Sequence, residues 1–184
     1  MSTIISTGKP ILDNLARPLR DLRISVTDRC NFRCVYCMPR EVFGPGYAFV
    51  PREDLLTLEE IARIARVFAA IGMRKVRITG GEPLIRRNLE HLIEMIDAMD
   101  EVDDISLTTN GSMLSPGRAV DLRKSGLKRL TISLDALDDP TFKRINDVDY
   151  PVSRVLDGIE HARAAGFSGT KINVVVRRGF NQHA

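Results

Sequence analysis

Residues 29–39 read Arg29-Cys30-Asn31-Phe32-Arg33-Cys34-Val35-Tyr36-Cys37-Met38-Pro39, and they hold every cysteine of the 184-residue chain. Three thiols within eight positions, with none elsewhere, make one site rather than a scatter of core residues. A disulfide framework wants an even cysteine count and a short secreted chain. A structural zinc wants a fourth ligand, and His91, His161 and His183 all lie far from the loop in sequence. A segment flanked by Arg29, Asn31 and Arg33 is too polar for a core run of unrelated buried cysteines. Three thiolates on a short loop suit an iron–sulfur cube with one iron left open. An open iron can take a substrate or cofactor, much as a catalytic zinc keeps one position free.

Outward from this loop the chain alternates strands and helices. Leu22–Thr27 reads as a short strand, its Leu, Ile and Val alternating with Arg23 and Ser25. Residues 38–54 carry Pro39, Gly44, Pro45, Gly46 and Pro51, which predict an irregular excursion. Thr57 with Glu60 forms a capping box for a helix that Gly72 stops. Lys75–Thr79 is a strand broken by Gly80-Gly81, and Asn88 is placed to cap a second helix. Ile105–Thr109 is a strand, Ser115-Pro116 opens a helix ending near Gly126, and Arg129–Leu134 is a strand. Residues 138–150 read as a loop holding at most a short helix. Val152–Ala165 is a helix ended by Gly166, and Thr170–Val176 is a fifth strand.

Strand and helix in alternation with short connections imply an α/β fold with a parallel sheet. Sites in such sheets lie at the C-terminal strand ends. The unusual residues fall there: Cys30–Cys37, then Gly80-Gly81-Glu82-Pro83, then Thr108-Thr109-Asn110, then Ser133 and Asp135.

The length fits one domain, and 43% hydrophobic residues suffice for a core. A net charge of +3 argues against general nucleic-acid binding, so any anion site is local. No apolar run reaches the length of a membrane span, and the start, MSTIISTGKP, does not read as a signal peptide. Free thiols reserved for a metal favour a reducing cytoplasm. The histidines acquire no role, and Arg177-Arg178 reads as a solvated strand end.

The cysteine spacing, with Tyr36 before the last cysteine, resembles the radical S-adenosylmethionine (SAM) superfamily. The run RPLRDLRISVTDRCNFRCVYCMP over residues 17–39, followed by ITGGEPL, LTTNG, SLDAL and KINVVV, is similar to the GTP 3′,8-cyclase family of molybdenum cofactor biosynthesis. The resemblance implies a partial TIM-like barrel of the radical SAM type, here incomplete at about five parallel strands. It divides the chain into an N-terminal arm, 1–16, and a radical SAM core, 17–184. It further implies a [4Fe-4S] cluster on Cys30, Cys34 and Cys37 with SAM on the open iron. Tyr36, Gly80, Gly81, Glu82 and Ser133 become the expected SAM-binding residues, the glycines letting backbone approach the methionine amine. Arg23, Arg77, Thr108 and Lys171 become the expected GTP-binding residues. Each cation is costly on a strand unless paired, and the competing partner is an internal Asp or Glu.

The family's partners are GTP, an electron donor and cyclic pyranopterin monophosphate synthase, and the family admits a homodimer; neither nucleic acid nor membrane is implied. Its enzymes are longer, with a second cluster in a C-terminal region that this chain lacks. The expectation is therefore a truncated core with an exposed edge at the fifth strand. Two rival readings remain: a radical SAM enzyme with another substrate, and an inactive iron–sulfur and SAM-binding fragment.

Overall fold

A computed structural model describes residues 11–183. Five parallel strands form one sheet in the order β1 (Asp21–Ser25), β2 (Lys75–Thr79), β3 (Asp104–Thr109), β4 (Arg129–Ser133) and β5 (Lys171–Asn173). Helices α1 (Leu58–Ala70), α2 (Leu89–Asp97) and α3 (Pro116–Lys124) fill the first three crossovers. Helices α4 (Asp139–Asn146) and α5 (Ser153–Ala164) fill the fourth. Among the described residues no helix is long and apolar enough to cross a membrane. Of the expected N-terminal arm, residues 1–10 lie outside the described residues. Residues 11–18 make a turn, with Leu12 bridging Pro18 and Asp13 accepting from the Leu15 and Arg17 backbone.

The sheet's two faces differ in kind. Val76, Ile78, Ile105, Leu107, Leu130 and Ile132 alternate onto one face and are buried there with Ala65, Leu92, Ile96 and Leu122 from the helices. The register places Arg23 beside Arg77, Arg77 beside Ser106, and Thr108 beside Thr131 beside Lys171 on the other face. That face stays open to solvent at Arg23, Arg77 and Lys171. Parallel sheets usually bury both faces and read as unbroken apolar runs. Here every strand alternates, in DLRIS, KVRIT, DISLTT, RLTIS and KIN, so one face is made to hold something polar.

The expected caps formed at two helices. Thr57 Oγ1 accepts from the Glu60 N–H at 3.1 Å while Glu60 Oε2 accepts from the Thr57 N–H at 2.8 Å. Ser115 Oγ accepts from the Arg118 N–H, with Pro116 as the first helical residue of α3. The short helix allowed within 138–150 formed over two turns, because Asp138 accepts from the Thr141 N–H at 2.9 Å and Pro140 fits the first turn. Two expectations need correction. Asn88 starts α2 through a left-handed backbone, φ 57°, and its side chain caps nothing. β5 stops at Asn173, since Val175 N–H turns to the side chain of Asp135 instead of a neighbouring strand.

Candidate functional site

The cysteine loop leaves the C-terminal end of β1 and is pinned on two sides. Phe32 is buried and packs edge-on against Phe142 of α4 at 6.0 Å, and against Tyr150 at 5.6 Å. The Arg33 and Val35 N–H groups donate to the carbonyls of Asn146 and Ile145 at the end of α4. The Arg33 guanidinium donates to the carbonyls of Cys30, Phe32 and Phe43, so it shapes the loop from within. α4, which the sequence offers only as a short helix, is therefore the platform of the loop.

Cys30 and Cys34 are half-buried and Cys37 is exposed. Burial, with Cys30 and Asp135 nearby, pushes the Cys34 thiol up to about 12, and burial also pushes the Cys30 thiol up. Cys37 adds to both shifts and Cys30 adds to that of Cys34, so the sulfurs share one electrostatic field. Protein groups alone thus favour the protonated form of Cys30 and Cys34, whereas a coordinated metal deprotonates thiols outright. Among the described residues no three His, Cys, Asp or Glu side chains converge on a single ion. A cube does not ask three thiolates to meet on one ion, because each takes a different iron. Soft, closely grouped thiolate donors fit an iron–sulfur centre.

Four of the five expected SAM residues, Tyr36, Gly80, Gly81 and Glu82, lie in this loop or against it. Gly80 and Gly81 press on it: a side chain at Gly80 would meet the Thr27 carbonyl at 2.8 Å, and one at Gly81 would overlap the Arg29 carbonyl. The Gly81 and Glu82 N–H groups donate to the Thr27 and Arg29 carbonyls at 2.7 and 2.8 Å. The glycines therefore first serve the approach of two loops of the chain, a purpose the sequence reading did not assign them. Glu82 is fully buried and its carboxylate accepts from Thr109 Oγ1, the Asn110 N–H and the Leu84 N–H. Burial pushes that carboxyl up, against the three hydrogen bonds that hold it down. Glu82 clamps the β2 turn to the end of β3 and has both oxygens engaged within the protein. Tyr36 Oη donates to Asp135 Oδ2 at 2.7 Å, and Ser133 ends β4 half-buried.

The expected GTP residues lie on the polar face. Arg23 and Arg77 are register partners, and Lys171 pairs with Thr131, whose other neighbour is Thr108. None of the three cations has an ion-pair partner among the described residues. The internal salt bridges that competed with an anion in the sequence reading did not form there.

Two residues had no role assigned by the sequence reading. Asp135 is buried and joins three segments: it accepts from Tyr36 Oη and the Val175 N–H, and its carbonyl accepts from Asn181 Nδ2. Asn146 accepts from Cys34 Sγ at 3.0 Å. Asp135 was legible as a polar residue just past a strand end; Asn146 ends the short helix that the sequence allowed within 138–150.

The radical SAM superfamily model matches residues 24–184. The GTP 3′,8-cyclase of Acidothermus cellulolyticus is 57% identical over 173 residues, 94% of this chain and 48% of that protein. The GTP 3′,8-cyclase of Staphylococcus epidermidis is 50% identical, over 94% of this chain and 50% of that protein. The chain thus spans about half the length of these curated relatives. The crystal structure of HydG, a maturase of the [FeFe]-hydrogenase, superposes with a TM-score of 0.68 at 15% identity, covering 85% of this chain and 35% of HydG. At that identity the likeness shows the fold: an incomplete βα barrel whose lumen is the polar face.

Proposed function

The chain belongs to the radical SAM superfamily, and we propose that it carries the SAM-cleaving and triphosphate-binding part of a GTP 3′,8-cyclase. The observation that carries this reading is one polar sheet face bearing Arg23, Arg77 and Lys171 without acidic partners among the described residues, beside a three-cysteine loop. A [4Fe-4S] cluster held there would supply the one electron that cleaves SAM to methionine and a 5′-deoxyadenosyl radical able to take a ribose hydrogen of GTP; closing the ring to (8S)-3′,8-cyclo-7,8-dihydroguanosine 5′-triphosphate would take one further electron and a proton from the electron donor.

Cys30, Cys34 and Cys37 would hold the cluster, and the Gly80-Gly81 turn fixes their loop against β2. Ser133 offers SAM a hydroxyl, and Tyr36, held by Asp135, walls the same side. Arg23 and Arg77 would bind the triphosphate with their forked donors, aided by Lys171 and the Thr108 hydroxyl. In this scheme an electron donor feeds the site and cyclic pyranopterin monophosphate synthase takes the product.

The test gives SAM, a chemical reductant and GTP to the iron-loaded protein. It reads 5′-deoxyadenosine by chromatography and GTP binding by the melting temperature. Bound ligand raises the melting temperature by mass action. The expected result is 5′-deoxyadenosine from the parent and none from Cys34→Ala, with GTP protecting the fold and guanosine not. Equal protection by guanosine, or no 5′-deoxyadenosine from the parent, overturns the reading.

A further inference from the structure

Three side chains beside the cysteine loop form a closed ring of hydrogen bonds. Ser112 Oγ donates to Asn110 Oδ1 at 2.6 Å, Asn110 Nδ2 donates to Asn31 Oδ1 at 2.9 Å, and Asn31 Nδ2 donates to Ser112 Oγ at 2.8 Å. Oxygen and nitrogen of an amide are assigned from such networks, and here one donor is beyond doubt. The Ser112 backbone N–H, which can only donate, points to Asn110 Oδ1 at 3.0 Å. The other end of the Asn110 amide is therefore its NH2 group. One hydrogen of that group serves Asn31, and the group also faces Cys30 Sγ at 3.9 Å. Cys30 Sγ accepts a second donor, the Phe32 N–H, at 3.4 Å. The Asn110 backbone is held as well, its N–H donating to Glu82 Oε2 at 2.7 Å.

We propose that Asn110 is a positioning residue for the iron–sulfur centre, its amide donating to Cys30 Sγ, aiming that thiolate and raising the reduction potential of the cluster it helps hold. The inference rests on the cluster reading given above. Hydrogen bonds to cluster sulfurs set reduction potentials, and outer residues that orient a ligand count almost as much as the ligand. A donor stabilises negative charge on sulfur, and the reduced cluster carries one more electron than the oxidised one. The N–H group therefore favours reduction. Asn31 and Ser112 lock the amide so that it cannot turn its oxygen towards the sulfur.

The test compares parent, Asn110→Ala, Asn110→Asp and Ser112→Ala after anaerobic iron loading. It measures iron per chain, melting temperature and the midpoint potential from a redox titration followed by spin resonance. The expected result for Ser112→Ala, which keeps the backbone N–H that holds Asn110 Oδ1, is a smaller fall in potential than for Asn110→Ala. For Asn110→Ala the ratio of reduced to oxidised cluster at fixed potential falls about tenfold, a lowering of about 59 mV for a one-electron couple. Asn110→Asp keeps the acceptor that Ser112 uses and replaces the donor facing sulfur by an oxygen, so it shifts at least as far. Loss of iron from both Asn110 variants at the parent's melting temperature supports the same role in its stronger form. Iron and potential at parent values in both variants overturn it, as does loss of iron together with a fall in melting temperature. A parent that takes up no iron overturns the cluster reading itself, a separate result.

Discussion

Arg23 and Arg77 stand side by side on β1 and β2, register partners on the polar face of the sheet, with no acidic side chain paired to either among the described residues. Like charges directly opposed on a sheet destabilise it. A bound polyanion turns that cost into affinity. Arg23→Ala and Arg77→Ala should therefore leave the ligand-free melting temperature unchanged within about 0.5 kcal/mol, or raise it. Each should weaken GTP binding by about 10- to 100-fold, the loss of one or two charge-assisted hydrogen bonds. Calorimetric binding and thermal melts on the same samples check both halves.

Gly81 is the contact between the β2 turn and the cysteine loop, and any side chain there overlaps the Arg29 carbonyl. Gly81→Ala should displace the loop and cut iron uptake several-fold. Gly46→Ala has nothing within 4 Å of the added carbon and should take up iron like the parent. Equal iron in both variants would show that the loop tolerates the displacement.

Leu107 is wholly buried between the sheet and its helices. Leu107→Ala should cost about 2–5 kcal/mol of stability by urea unfolding. Tyr36→Phe leaves Asp135 Oδ2 without its phenol donor and should cost about 1–3 kcal/mol. A Tyr36→Phe protein as stable as the parent would mean that water replaces the phenol.

Asp138 caps α4, and the Thr141 backbone N–H foremost holds its carboxyl below the ordinary value of 3.8. A depressed carboxyl stabilises the fold above its unfolded value, and that contribution is lost as pH falls through the folded one. The melting-temperature gap between parent and Asp138→Ala should be full at pH 6 and should shrink as pH drops below about 3.8. A constant gap across that range would remove the carboxylate from the cap.

Most of the sheet could be read because polar and apolar residues alternate and because Thr57, Ser115, Gly72, Gly126 and Gly166 punctuate the helices. The same alternation, read across all five strands, would also have revealed the open polar face. α4 reads in the sequence only as a short helix at most: Thr141, Phe142 and Ile145 share a buried face, but eight residues with three charges are brief, and what holds the helix is Phe142 against Phe32, a contact 110 residues apart. Glu82 and Asp135 could be placed near the site but not sorted by role. Whether a carboxylate faces a ligand or a backbone N–H depends on which loops meet, and Asn110 and Val175 come from other strands.

If Cys30, Cys34 and Cys37 hold one cube whose open iron binds SAM, the anaerobically loaded protein should carry about four irons per chain. The low-temperature spin-resonance spectrum of its reduced state, recorded with iron and sulfide analysis on the same sample, should change when SAM is added. About eight irons, stoichiometric zinc without iron, or a spectrum untouched by saturating SAM would rule that site out.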